Sequence, residues 1–369
     1  MHTHYRLLGA EVSYYTAKIR AYLVHKPLPF VDILATRKVF KDEILPRIGW
    51  PVIPVLITPD GLTLQDTSEM IDWLEAHHPE HPLLPQTPLL RVISLLFELY
   101  ADEWIKMPAL HYRWHYDREF AELEFGRNND PELPPAEQRR IGEKIARQFA
   151  GWLGPLGITS ATIPAIEAEY LGLLADLEQH FAHHDFLFGP APSLVDCALF
   201  GPLQAHLSRD PNSGRVMRRQ APRVIAWLAR MQTAVPTRAR AATDTLPPTM
   251  RIILQRLSRD YVPILCAQTR AFQAWLAAHR SEPIPRHIGT HEFELGRDTA
   301  HVARGTRALF TYDQWMLQRV LDAYFAADER ARVTIEETLQ DIGAAELLTL
   351  ALPQRVIRRN YQLVRQSQV

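Results

Sequence analysis

The apolar positions change period along the chain. Residues 5–8 (YRLL) form a short extended run, and residues 16–25 set Ala17, Ile19, Leu23 and Val24 on a helical face that Pro27 and Pro29 stop. Phe30-Val31-Asp32-Ile33-Leu34 is extended again, so the chain opens as strand, helix, strand. Residues 36–47 read as a polar, irregular helix, and residues 51–57 as an apolar strand reached through prolines. Pro59-Asp60-Gly61 is a turn, because Asp-Gly supplies the positive φ of a tight hairpin; it pairs residues 55–58 with 62–64 antiparallel. Asp66 or Thr67 caps the next helix, which ends before Pro79.

Prolines at 79, 82, 85 and 88 then break the pattern, and beyond them the alternation of strands disappears. Residues 89–104 are apolar on nearly every side, which predicts a helix buried between neighbours. Further helices are expected at about 136–152, 164–182, 193–207 and 222–234. A second break, VPTRARAATDTLPPT, covers 235–249. After it, 250–279 reads as helix, Glu292-Phe293-Glu294-Leu295 alternates like a strand before Gly296, and 312–327 is helical. The expected organisation is three units, 1–84, 85–234 and 250–369, without an internal repeat. The last is rich in large apolar groups (Ile252, Ile253, Leu254, Leu257, Trp275, Trp315, Met316, Leu317), which predicts a packed segment and not a disordered tail.

Composition narrows the function. Of 369 residues, 47% are hydrophobic and 22% charged, and 41 basic against 42 acidic side chains leave a net charge of −1. That balance is not the electrostatic footprint of a nucleic-acid binder. No stretch approaches a membrane span and the N-terminus has no apolar signal core, so a cytoplasmic protein is expected. Two cysteines, Cys197 and Cys266, make neither a disulfide framework nor a zinc site. The histidine groups (His77, His78, His81; His180, His183, His184; His287, His291) lack a metal-ligand spacing and read as solvated, so no metal is expected. The arginine-rich stretches 215–223 and 355–365 read as solvated helix faces.

The order of elements, with Ile53-Pro54 before a strand and Asp66-Thr67 opening a helix, resembles the thioredoxin-like domain of cytosolic glutathione S-transferases. The loop Ser13-Tyr14-Tyr15-Thr16-Ala17-Lys18-Ile19-Arg20 is similar to that family's catalytic stretch. Ser193-Leu194-Val195-Asp196 resembles the capping box that starts the core helix of its all-helical second domain. The wording around Trp50-Pro51-Val52-Ile53-Pro54 and Leu64-Gln65-Asp66-Thr67-Ser68 is similar to bacterial members that carry an extra C-terminal segment. The fold class implied is an α/β thioredoxin-like domain, an all-α transferase domain and a mostly helical extension with a short β segment.

The resemblance implies glutathione as co-substrate, a hydrophobic electrophile as acceptor and a homodimer. Ser13 would stabilise the glutathione thiolate, with Tyr14 and Tyr15 as alternative hydroxyl donors; a Ser in place of Cys favours transfer or peroxide reduction over thiol exchange. The tyrosine-type catalytic position falls near Gly9 and is vacant. The backbone of Ile53, turned outward by a cis Pro54, would pair with the cysteinyl unit. Asp66 and Thr67, at a helix N-terminus, would hold the γ-glutamyl unit. Trp104 and Tyr112, with His111, Trp114 and Tyr116 nearby, are candidates for the acceptor pocket. The rival reading is a non-catalytic glutathione-binding or scaffolding protein whose extension is an interaction surface.

Overall fold

The computed structural model describes residues 3–233 and 243–366. The first eight positions of the break at 235–249 lie outside the described residues.

The first sheet is built around β1 (Tyr5–Gly9), whose Leu7 and Leu8 are fully buried. β2 (Phe30–Leu34) runs parallel to it on one side, which requires a crossover, and α1 (Tyr14–His25) supplies it. On the other side come β3 (Val55–Ile57) and β4 (Thr63–Gln65), both antiparallel to their neighbours, giving the order β2-β1-β3-β4. The strand expected over 51–57 pairs only from Val55, because Pro51 and Pro54 have no N–H to give a ladder. Between β2 and β3 the chain makes α2 (Arg37–Val39), a π turn (Phe40–Ile44) and α3 (Leu45–Ile48), which ends on Gly49 at φ 86. The register matters most here. Leu8 faces Val55 and Val55 faces Gln65, so Gly9, Pro54 and Asp66 come side by side at one end of the sheet, where α4 (Thr67–His77) begins.

The helical part comprises α5 (Pro88–Glu103), α6 (Lys106–His115), α7 (Arg118–Asn129), α8 (Pro135–Ala150), α9 (Ile163–His180), α10 (Leu194–Pro202), a π turn (Leu203–Ser208), α11 (Pro211–Gln220) and α12 (Pro222–Met231). Helices α7 and α11 escape the hydrophobic pattern because few of their side chains are buried. Every residue of α10 is buried, and its start is fixed by the capping box read from the sequence. Asp196 accepts from Ser193 N–H at 3.0 Å, Leu187 N–H at 2.9 Å and Trp227 Nε1–H at 3.1 Å. Burial pushes its carboxyl up to about 6 despite these donors. Asp196→Ala strands three buried N–H groups, so chemical denaturation should show a loss of about 3 kcal/mol.

The extension is α13 (Pro248–Ala278), the hairpin β5 (His287–Leu295) and β6 (Ala303–Phe310), α14 (Tyr312–Phe325), α15 (Glu329–Asp341), a 3-10 turn (Ala345–Thr349) and a second hairpin, β7 (Val356–Arg359) with β8 (Gln362–Arg365). Its Ile253, Leu254, Met316, Leu317 and Val320 are buried in the same core as the helical part. Tyr100 and Ser258 share a hydrogen bond at 2.9 Å, and Ala308 N–H donates to the Pro155 carbonyl at 2.8 Å. Residues 355–365 are thus not a solvated helix face. Asn360 and Tyr361, with φ of 51° and 63°, form the tight turn of a hairpin instead.

His180 also departs from expectation, for it is fully buried between Thr249 Oγ1 (2.8 Å) and the Phe186 carbonyl (3.2 Å). Burial holds its imidazole down to about 4. Because the unfolded chain protonates it near 6.5, its contribution is complete above that pH and is lost as pH falls toward 4. The slope is at most about 1.4 kcal/mol per pH unit. His180→Gln should flatten the stability profile in that window, as read by urea titration at several pH values.

Candidate functional site

Where β1 ends, the chain must turn into α1. A methyl group at Gly9 would lie 2.3 Å from Thr16 Cγ2, so only glycine lets the strand pass this close to the helix. Ser13 is the N-cap, and its Oγ accepts from Thr16 N–H at 3.2 Å. Among the described residues this leaves the Ser13 hydroxyl proton uncommitted, on a half-buried side chain. Tyr14 and Tyr15 differ. The Tyr14 hydroxyl donates to the Ala101 carbonyl and the Tyr15 hydroxyl to the Asp102 carbonyl (3.0 Å), at the C-terminal end of α5. Burial, then Asp102 and Glu103, keep both phenols well above their usual range.

The loop before Ser13 is pinned by a residue that sequence reasoning missed. Arg113 of α6 is buried, donates to the Val12 carbonyl at 2.9 Å and the Ala205 carbonyl at 2.7 Å, and grips Asp210 with Nε (2.6 Å) and Nη2 (2.8 Å). Its partners are about 90 to 100 positions away, so no local pattern marks it. On the other side, Gly201 of α10 approaches the Tyr14 carbonyl, where a Cβ would stand 2.8 Å away.

Beside Ser13's loop, the Ile53-Pro54 bond is cis. Pro54 is buried, and Ile53 is half-buried against the cluster of Leu8, Ile44, Val55 and Ile57, as are Trp50, Val52 and Tyr361. Asp66 caps α4 from a positive φ of 79°, with Oδ1 accepting from Ser68 N–H (3.0 Å) and Glu69 N–H (3.3 Å). Thr67, the first residue of the helix, is buried. The structure therefore brings Ser13's loop, Ile53-Pro54 and Asp66-Thr67 to one end of the sheet.

Beneath them lies a buried ionic cluster. Lys18 Nζ is 2.6 Å from Glu98 Oε1 and 2.5 Å from Asp102 Oδ2, and Arg319 Nη1 takes the other Glu98 oxygen at 2.6 Å. Ser68 Oγ–H joins through Glu98 Oε1 at 2.8 Å. Burial opposes the charge on Glu98, but Arg319 and Lys18 outweigh it and hold the carboxyl down to about 2. Asp102 is raised to about 6 by burial, and its Oδ1 has no partner among the described residues. The cluster ties α1, the start of α4, α5 and α14 together beneath the prospective site.

Trp104 and Tyr112 part company. Trp104 stacks on Tyr261 at 5.1 Å and lines a largely apolar cavity with Ile105, Tyr170, Leu173, Leu257 and Leu295, edged by Asp260. Tyr112 instead packs its ring against Tyr116 (5.5 Å) and Tyr170 (5.2 Å) and is not among the cavity's lining residues. His111 is buried with Nε2 at 2.9 Å from Glu167 Oε1. Among the described residues no group of three or more potential ligands is placed to hold a metal, and no helix is long and apolar enough to cross a membrane.

The family model for the glutathione S-transferase N-terminal domain matches residues 7–82, and that for the glutathione S-transferase C-terminal domain matches residues 160–230. No curated protein matches the chain. Among solved structures, a glutathione S-transferase from Rhodospirillum rubrum F11 is 17% identical, with 68% of this chain and 91% of that one covered and a TM-score of 0.40. A glutathione S-transferase from Methylobacterium radiotolerans, in complex with glutathione sulfonate, is 22% identical over 65% of this chain and 100% of its own, with a TM-score of 0.38. The β-etherase from Sphingobium sp. strain SYK-6 is 18% identical over 68% and 99%, with a TM-score of 0.44. The two domain matches fall in family order on the thioredoxin-like sheet and on the helices around α10, and the chain belongs to the glutathione S-transferase family.

Proposed function

We propose that this chain binds glutathione at the end of its first sheet and transfers the glutathione sulfur to a hydrophobic electrophile. The observation that carries the reading is the uncommitted Ser13 hydroxyl. It receives Thr16 N–H on its oxygen and retains its own proton, whereas Tyr14 and Tyr15 have given theirs to carbonyls of α5. A hydroxyl donating to sulfur favours the thiolate over the thiol and lowers its pKa. The backbone of Ile53 would pair with the cysteinyl unit, while Asp66 and Thr67 would meet the glutamyl ammonium and carboxylate. The thiol proton passes to solvent, the sulfur bonds to the electrophilic carbon, and the leaving group departs with its electron pair. Rate comes from thiolate stabilisation and from holding the partners together. Trp104, two residues beyond the carbonyl that holds Tyr15, offers an apolar wall for the acceptor. A homodimer of this chain would use a face other than the side of α5 that α14 covers.

The test is retention of the full chain on immobilised glutathione, followed by turnover of an activated aryl halide with free glutathione. Saturable conjugation above the uncatalysed rate is expected. Retention without any conjugation would replace this reading with the non-catalytic one.

A further inference from the structure

The groups proposed to receive the glutamyl end of glutathione are already held by the chain's own extension. Tyr312, the first residue of α14, donates its hydroxyl to Asp66 Oδ2 at 2.7 Å. Since Asp66 Oδ1 is occupied by two N–H groups of α4, both carboxylate oxygens have intramolecular partners. Arg358, in the last hairpin, donates from Nε to Glu69 Oε2 at 2.7 Å and from Nη2 to Gln65 Oε1 at 2.8 Å, flanking Asp66 in sequence on both sides. Its guanidinium lies 5.8 Å from the Tyr312 ring centre and 5.9 Å from that of Trp315. At the other end of β4, Tyr361 donates to the Thr63 carbonyl at 3.3 Å and packs against the apolar cluster of Leu8, Val55 and Ile57, while Arg286 lies 4.8 Å over the Trp50 ring. Thr67 is left only 4% exposed.

We propose that α14's first residue and the β7–β8 hairpin are a built-in competitor for glutathione, closing the N-terminus of α4 until they move aside. The inference rests on the glutathione reading above. The ammonium of the glutamyl unit needs the carboxylate oxygen that Tyr312 holds, and its carboxylate needs the helix end that is now covered. The cover is suited to opening. A two-stranded hairpin is marginal by itself, and this one is anchored to its own extension through Gln318, which exchanges hydrogen bonds with Val356 at 2.7 and 3.0 Å. Apparent affinity is then the intrinsic affinity reduced by the fraction of open molecules.

Two variants of the full chain test this, Tyr312→Phe and Arg358→Gln, with glutathione binding measured by calorimetry. Each removes hydrogen bonds to a charged group that hold the closed form, so each should bind glutathione about tenfold tighter than the parent. Hydrogen exchange of the parent should show residues 356–365 becoming less protected when glutathione is added. Equal or weaker binding by both variants, or greater protection of 356–365, would overturn the inference and make the extension a wall of the site, leaving the transferase reading intact. Absence of glutathione binding in the parent and both variants would overturn the two together.

Discussion

Lys18→Met is expected to destabilise the protein by about 3–5 kcal/mol at neutral pH, the usual consequence of removing one member of a buried ion pair. Lys18 is fully buried and is the only cation within ion-pair distance of Asp102 among the described residues. Without it Glu98 keeps Arg319, but among the described residues Asp102 is left with a buried charge and no counter-ion, and its Oδ1 already lacks a partner. The sign of the pH dependence follows. Burial has already raised the Asp102 carboxyl to about 6, and losing Lys18 raises it further, so the variant relieves its strain by taking up a proton. The deficit should be largest at pH 7 and shrink as pH falls through 6. Urea titrations of both proteins at pH 7 and 5 read this directly, and a loss below about 1 kcal/mol at pH 7 would show that the cluster does not hold α1 to α5.

Ser13→Ala is expected to lower conjugation roughly 10- to 150-fold, the equivalent of about 1.5–3 kcal/mol for a hydrogen bond to a charged group expressed in the transition state. Alanine also removes the N-cap acceptor for Thr16 N–H, which costs about 1 kcal/mol of stability and is read separately by denaturation. Tyr15→Phe is the contrast. Its hydroxyl serves the Asp102 carbonyl, so the loss should fall on stability, with turnover nearly unchanged. Loss of turnover in Tyr15→Phe with Ser13→Ala fully active would move the thiol's donor to the tyrosine.

What the sequence disclosed was local. The Asp60-Gly61 hairpin, the Ser193 capping box and the helix opened by Asp66 each follow from side chains within a few positions of one another, and the structure places each of them. Short extended runs broken by helix and proline signals likewise disclosed β1 and β2. What escaped was assembled over long separations. Arg113 reaches the loop before Ser13 from α6, and Tyr312 and Arg358 reach Asp66, Gln65 and Glu69 across some 250 to 290 positions. Arginines in a polar stretch look solvated until the fold supplies their partners, which is why 355–365 read as a helix face. Helix α7 escaped for the opposite reason. It is held by close backbone approach, with Gly126 against the Gln138 carbonyl, and by only a few apolar groups, Ala121 and Phe125 beside Trp114 and Phe149.

Stabilisation of a bound glutathione thiolate by Ser13 is read from the pH titration of thiolate ultraviolet absorbance in the complex. The parent should titrate at least about one unit below the free thiol's ~8.5, with the value returning toward 8.5 in Ser13→Ala. A bound thiol that titrates at its free value in the parent, or equally low in both proteins, would show that Ser13 does not stabilise the thiolate.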